Sequence, residues 1–164
     1  MKKRRIVIDK NLVFRQVDAL SYKFGEGGAG DRIQSDSSEG LDGVILSSML
    51  SLRASMLRKR LKFCLAPVLD GSADNMSSLE GRIVFNLVLP ESFDDNDLDG
   101  TAILIHEYLV RGVLADWLSS IGTEQQSGFA GDAQVLEGQI IDALRGPSVI
   151  RHPSLPYYPS PKIR

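Results

Sequence analysis

A run of basic residues carries the densest side-chain chemistry in this sequence. Arg and Lys side chains bind carboxylates and phosphates, so this basic cluster predicts contact with an acidic partner or with passing nucleic acid. The alternative is that the cluster forms the solvated end of a helix, where positive charge complements the helix dipole. No aromatic side chains suited to base stacking lie among its members, so we do not expect recognition of a particular nucleic-acid sequence. The members of the basic cluster are Arg53, Arg58, Lys59, Arg60 and Lys62.

The residues available for catalysis are few. The chain has two histidines, His106 and His152, and one cysteine, Cys64, which lie far apart in the sequence. His106 shares an apolar helical stripe with Trp117, so we expect it to be a packing residue. Asp116 lies on a neighbouring apolar side, and we expect it to bond a neighbouring element or another subunit. An enzyme would need a pocket around His106 or Asp116. Without a recognisable catalytic motif, we expect a non-enzymatic protein with no cofactor and no metal site.

Two short motifs match the consensus patterns of ligand-binding sites, but the segments that precede them do not fit those sites. Gly25–Gly30 matches the dinucleotide pattern G-x-G-x-x-G, yet it follows a helical pattern instead of a buried strand, which favours a flexible connection. The acidic run Asp94–Gly100 resembles the start of a calcium loop. Counted from Asp95, the position of the closing carboxylate is occupied by His106, and a strand-like segment precedes the run. We therefore expect an acidic lead-in and N-cap for the following helix.

The charges of the chain are segregated along the sequence. Residues 1–65 carry 13 Lys and Arg against 7 Asp and Glu, whereas residues 66–146 carry 3 against 14. One interpretation is that the basic half of one copy meets the acidic half of the next, a head-to-tail contact that closes into rings. The other is that the two halves neutralise each other within one fold. The length of 164 residues fits one domain, and no stretch approaches the ~20 apolar residues of a membrane span.

Two consecutive helices, predicted between Thr101 and Arg145, organise the rest of the chain. The first is apolar on almost every side, Ile103 included, with only an arc around Glu107 and Arg111 suited to water, so several neighbours must cover it. The second begins with a capping box at Thr123 and needs cover on one side only, because its acidic residues, Glu137 among them, face away from the apolar stripe. Its apolar stripe consists of Phe129, Ala133, Leu136, Ile140 and Leu144.

Two further helices are predicted earlier in the chain. One is N-capped by Asp9 and extends to about Phe24, and a longer one extends from Ser38 to about Leu65. The apolar residues of the longer helix fall into two rows, which predicts that it touches two neighbours. The first row is Leu41, Ile45, Met49, Leu52 and Met56, and the second is Leu46, Leu50, Leu57, Leu61 and Cys64.

One clear strand is predicted at Arg82–Leu89, where apolar residues alternate and Pro90 ends the pattern. A solitary strand leaves its backbone groups unpaired, so it needs a partner. The nearest candidate is Ile6–Ile8, from the same chain or from a neighbouring copy. A hairpin with part of residues 66–80 is the other possibility.

The C-terminal residues are rich in proline. We predict a helical domain over residues 1–146, followed by an extended arm over residues 147–164. The arm carries apolar and aromatic side chains that suit docking on another chain, and a disordered end is the alternative. The predicted fold is therefore mainly α, a bundle of about four helices with a small β element and an extended C-terminal arm. The docking candidates of the arm are Ile150, Leu155, Tyr157, Tyr158 and Ile163.

The helical hairpin, formed by Val113–Leu118 and the stripe from Phe129 to Leu144, resembles that of the head-tail connector proteins of tailed bacteriophages when it is combined with a small helical domain and a terminal arm. These are also called adaptor or neck proteins. The resemblance implies a ring of identical subunits that joins portal to tail and continues the DNA channel. It also implies that the arm docks on the portal or on an adjacent subunit, and that Arg58, Lys59, Arg60 and Lys62 face DNA or an acidic partner.

The resemblance sets the expected partners and location. The partners are further copies of the chain, the portal protein, tail or neck proteins and double-stranded DNA bound without sequence preference. The location is the neck or tail of the virion, and the host cytoplasm during assembly; no membrane is involved. The second hypothesis, suggested by the basic first third of the chain, is a nucleic-acid-binding regulatory helical domain. The overall net charge of -2 argues against it.

Overall fold

The computed structural model describes residues 1–25, 41–66, 81–120 and 126–145. Over these residues the protein is mainly helical, with one small antiparallel sheet, which confirms the predicted fold class. The predicted arm, residues 147–164, lies outside the described residues. In chain order the elements are β1 (Lys2–Asp9), α1 (Lys10–Gly25), α2 (Leu41–Arg60) with a 3₁₀ turn at Leu61–Phe63, β2 (Arg82–Leu89), α3 (Asp97–Ser120) and α4 (Gln126–Arg145).

The two strands pair with each other along their full length. The register runs from Lys2 opposite Leu89 to Asp9 opposite Arg82, so the predicted strand finds its partner in the same chain. β1 is longer than the predicted Ile6–Ile8, because its charged first half also pairs with β2. The alternate residues of one sheet face are buried against the helices, as the period of two requires. These are Ile6, Ile8, Ile83, Phe85, Leu87 and Leu89.

α3 lies at the centre of the molecule and packs against α1, α2, α4 and β1. The prediction that several neighbours cover this helix is confirmed. The helix begins at Asp97, four residues before the predicted start, because Asp97 and Asp99 favour the positive pole of its first turn. The hydroxyl of Thr101 donates back to the Asp97 carbonyl and so belongs to the helix interior. The prediction for Ile103 is wrong, since this side chain is exposed.

α1 and α4 each use one apolar face. The Asp9 carboxylate accepts a hydrogen bond of 2.8 Å from the Asn11 backbone N–H, so the predicted N-cap of α1 is confirmed. The predicted stripe of α4 packs inward against α3. The predicted capping box at Thr123 lies outside the described residues.

α2 has two apolar rows, and the structure treats them differently. The inner row, Leu46, Leu50, Leu57 and Leu61, is fully buried against the core. The outer row, Ile45, Met49, Leu52 and Met56, follows the same helix along another side, and all of these but Met49 are exposed; the Leu41 side chain lies outside the described residues. The α-helix ends at Arg60, earlier than the predicted Leu65, and tightens into the 3₁₀ turn. Within the described residues, the inner row has the neighbour that the pattern predicts, whereas of the outer row only Met49 packs against the core.

Candidate functional site

The outer row of α2 forms an exposed apolar surface. Its members recur at intervals of four, three and four residues, which places them on one face of the helix. Ile45 is 41%, Leu52 58% and Met56 43% exposed, while Met49 is partly buried. Phe63, half exposed in the 3₁₀ turn, lies beyond the end of the helix. Contiguous exposed apolar side chains of this kind mark interaction surfaces in soluble proteins.

Arg53, a member of the basic cluster, is engaged within its own chain. Its Nε and Nη2 donate to the two carboxylate oxygens of Asp116 on α3, at 2.7 and 2.6 Å. This two-pronged hydrogen bond raises the pKa of the Arg53 guanidinium. The prediction that Asp116 bonds a neighbouring element is confirmed. Arg53 was a candidate for contact with a partner or DNA, and its charge is balanced by this carboxylate.

Gly112 makes room for the Arg53 side chain. A Cβ atom at this position would lie 2.8 Å from Arg53 Cδ and 3.1 Å from Nε, closer than atoms approach without displacement. An alanine at this position would displace Arg53, so glycine leaves the space in which the side chain crosses α3 one turn before Asp116. Sequence reasoning missed this role, since a glycine inside an apolar helix gives no sign of the arginine that passes over it.

Arg58 binds the free edge of β2. Its Nη2 donates to the Val84 carbonyl at 3.0 Å, and its Cζ lies 5.1 Å from the centre of the Phe85 ring. Farther along the same edge, the Ala66 N–H donates to the Asn86 carbonyl at 2.9 Å. The guanidinium thus takes the place of a strand that would otherwise pair with β2. Burial lowers the pKa of Arg58, and its Nε has no hydrogen-bond partner among the described residues.

The remaining members of the basic cluster are more exposed. Arg60 Nε forms an ion pair of 2.9 Å with Glu137 of α4, although the Arg60 side chain is largely exposed. The sequence assigned Glu137 to the outer side of α4, and the structure makes it a half-buried link to α2. Lys59 and Lys62 are exposed, and neither has an ion-pair partner among the described residues. These two lysines are the members most available to another molecule.

The outer face of α4 combines an exposed apolar side chain with glycines and acids. Val135 is 61% exposed, and Cβ atoms added at Gly131 or Gly138 would meet nothing within 4 Å. Asp132 and Asp142 are exposed on the same side. We call Gly131, Asp132, Val135, Gly138 and Asp142 the α4 outer face. Sequence reasoning treated this side as polar only; the spacing of its glycines around Val135 is the signal that it missed.

His106 belongs to a small polar network between α1 and α3. Its Nε2 donates to Gln16 Oε1 at 2.8 Å, and Gln16 Nε2 donates to Glu107 Oε1 at 2.7 Å. Each of the three side chains is half buried, and the two hydrogen bonds link them in series. The expectation that His106 is a packing residue with satisfied hydrogen bonds is confirmed.

The carboxylates of the acidic run before α3 accept hydrogen bonds from neighbouring groups of the same fold. Asp95 receives hydrogen bonds of 2.9 and 2.6 Å from Arg4, which lowers its carboxyl pKa. Asp94 accepts from the Asn96 backbone N–H at 2.9 Å and so shapes the turn into α3. The prediction of an acidic lead-in is confirmed. Within the four described segments, no group of three or more His, Cys, Asp or Glu side chains is arranged to hold a metal ion.

The other candidate residues lie outside the described residues. They are the glycine-rich stretch after Gly25 and the docking candidates Ile150, Leu155, Tyr157, Tyr158 and Ile163. Among the helices that are described, none combines the length and the apolar character needed to cross a membrane. Comparisons with protein-family models, curated proteins and solved structures returned no match.

Proposed function

We propose that this chain is a structural subunit that assembles head to tail with copies of itself. The outer row of α2 in one copy packs against the α4 outer face of the next copy. The observation that supports this most directly is the exposure of Ile45, Leu52 and Met56 on a helix whose other apolar row is fully buried. A helix with two apolar faces needs cover on both, and a second copy supplies it.

The two surfaces are complementary in shape. The outer row presents long side chains, such as Leu52 and Met56, whereas Gly131 and Gly138 leave depressions on either side of Val135. Side chains of one helix fit the grooves of another when large residues face small ones. The glycines therefore let the outer row of α2 approach the α4 backbone closely.

The two surfaces are also complementary in charge. The outer row ends near Lys59 and Lys62, and the α4 outer face carries the exposed carboxylates of Asp142 and of Asp132, the latter 3.6 Å from Arg111. Because the two surfaces are different, the contact is heterologous and repeats from copy to copy, and we propose that the repeat closes into a ring. This choice agrees with the segregation of basic and acidic residues between the two halves of the chain.

The resemblance to connector proteins motivates the setting that we propose for this ring. There it is a layer of the neck of a tailed bacteriophage, between portal and tail, with the genome passing through its channel. Lys59 and Lys62 are exposed members of the basic cluster and are well placed to meet an acidic neighbour or DNA, whereas the charge of Arg53 is balanced by Asp116.

The test uses two variants that each spoil one surface. Leu52→Glu places a charge in the outer row, and Val135→Glu places one on the α4 outer face. Native mass spectrometry of concentrated wild-type protein is expected to show oligomers, and each variant alone is expected to be monomeric. An equimolar mixture of the two variants is expected to form a one-to-one pair, because each contributes the surface that the other lacks.

Leu12→Glu is the matched control, since Leu12 is an equally exposed leucine on α1. This variant is expected to assemble like the wild type. If Val135→Glu also assembles like the wild type while Leu52→Glu does not, then α2 pairs with α2 and the head-to-tail contact is wrong. The proposal is wrong if the wild type stays monomeric at every concentration, with or without a portal protein.

A further inference from the structure

A surface pocket lies between α2 and the end of the sheet where β1 meets α1. Its volume is about 210 Å³. Ser51, Ser55 and Arg58 reach it from successive turns of α2, and Lys10 and Arg82 reach it from the first residues of α1 and β2. Three cations and two hydroxyl groups from three separate elements therefore line one small space. None of these residues belongs to the outer row of α2.

The charges of the pocket are not balanced by the lining residues that the structure describes, since none of these is a carboxylate. Neither Lys10 nor Arg82 forms an ion pair or a side-chain hydrogen bond with any residue that the structure describes. The nearest acid in the sheet register is Asp9, opposite Arg82, and its carboxylate accepts the hydrogen bond that caps α1. Burial lowers the pKa of Lys10 and that of Arg58, the direction expected for cations that lose water without gaining an anion.

Arg58 is held in place before any ligand arrives. The Val84 carbonyl and the Phe85 ring fix its guanidinium, and its buried Nε has no hydrogen-bond partner within the described residues. A cation that is already ordered loses little conformational entropy when it binds an anion. The hydroxyls of Ser51 and Ser55 make no hydrogen bond to other described residues, so they remain available as donors.

We infer that this pocket binds a phosphate group. A phosphate carries up to two negative charges on oxygens that point in several directions, which suits donors converging from three elements. A carboxylate presents its two acceptor oxygens in one plane, so it would leave some of the donors converging from three elements without a partner. The pocket volume limits the ligand to free phosphate or to the phosphate of a larger molecule that extends into solvent, such as a nucleic-acid backbone.

The experiment titrates the full chain with inorganic phosphate at low ionic strength, with chloride as the reference anion. Binding is followed by calorimetry and by the amide NMR shifts of Lys10, Ser51 and Ser55. Lys10→Gln and Arg82→Gln are expected to weaken phosphate binding about tenfold each, since each removes a charge-assisted contact. Lys3→Gln, which removes an exposed lysine on β1 away from the pocket, is expected to leave binding unchanged.

A second arm distinguishes the two sources of phosphate. If duplex DNA shifts the same three amides and competes with inorganic phosphate, the pocket holds a nucleic-acid phosphate. If phosphate binds and DNA neither shifts these amides nor competes, the pocket holds a small phosphate; both outcomes support the inference.

Three results would overturn it. One is the absence of any phosphate-dependent shift. Another is an equal loss of binding in Lys3→Gln and Lys10→Gln, which would show general charge attraction. The third is binding that occurs only after Asp70, Asp74 and Glu80 are neutralised, which would show that the chain's own carboxylates belong in the pocket.

Discussion

The inner and outer rows of α2 have similar composition and opposite environments. Leu57 and Leu50 of the inner row are 0% and 1% exposed, whereas Leu52 of the outer row is 58% exposed on the same helix. The inner row belongs to the core that α2 shares with α3, whereas the described members of the outer row, Met49 excepted, are exposed. The comparison shows that hydrophobic periodicity measures how much surface a helix has to bury, without indicating which chain buries it.

Truncating one leucine of each row is expected to give the largest difference in stability between two variants. Leu57→Ala is expected to lower the free energy of unfolding by about 3 kcal/mol, since it leaves a cavity in the core. Leu52→Ala is expected to lower it by less than about 0.5 kcal/mol in the monomer, because the leucine has little buried surface to lose. Urea denaturation at low protein concentration measures both. Equal losses in the two variants would mean that the outer row is covered within the chain.

The ion pair between α2 and α3 gives the next largest effect. Asp116→Ala is expected to lower the free energy of unfolding by about 1–2 kcal/mol, since it leaves the half-buried Arg53 without its carboxylate. Asp132→Ala is the control, because its contact with Arg111 is longer, at 3.6 Å, and more exposed. That variant is expected to change stability by less than about 0.5 kcal/mol. An Asp116→Ala variant as stable as the wild type would show that the ion pair does not stabilise the fold.

The sequence predicted the elements of this fold well, because each one has a local signal. Alternation identified β2, the stripe of α4 identified its buried face, and Asp9 marked the start of α1. The start of α3 was placed too late, since Gly100 obscured the helical pattern that Asp97 begins. These signals depend on residues close in sequence, which is why they are available without the structure.

The Cys64 thiol, which continues the inner row, links stability to pH. Burial raises its pKa from the ordinary value of 9.0 to about 11. Between these values the unfolded chain loses the thiol proton while the folded chain keeps it, so stability falls as pH rises above 9. At pH 10 the wild type is expected to have lost about 1 kcal/mol more than Cys64→Ala, each measured against its own value at pH 8. Parallel pH profiles would contradict the burial of this thiol.

Alanine substitutions at two glycines compare a position crowded by a side chain with an open one. Gly112→Ala is expected to lower the free energy of unfolding by about 1 kcal/mol, because the added methyl group meets Arg53 and outweighs the helix propensity of alanine. Gly138→Ala is expected to raise it by up to about 1 kcal/mol in the monomer, since its surroundings are open. In an Asp116→Ala background Arg53 is free to move, so Gly112→Ala is expected to lose its cost. If Gly112→Ala still lowers the free energy of unfolding in that background, the added methyl group clashes with a neighbour other than Arg53.

The candidate sites were much less predictable than the elements. The basic cluster was visible in the sequence, but the engagement of Arg53 with Asp116 and of Arg58 with the β2 edge depends on residues 63 and 26 positions away. The pocket around Lys10, Ser51 and Arg82 likewise joins residues with no shared local pattern. Such contacts arise from tertiary packing, and a single sequence holds no local sign of them.

The most direct test of the account is chemical cross-linking between Leu52→Cys in one copy and Val135→Cys in another. The native Cys64 is buried and remains unreactive, so a short thiol-specific linker reports only the introduced cysteines. The account predicts that a mixture of the two variants gives a cross-linked pair, while each variant alone gives little. Efficient cross-linking of Leu52→Cys to itself, or no cross-linking in the mixture, would contradict the head-to-tail contact between α2 and α4.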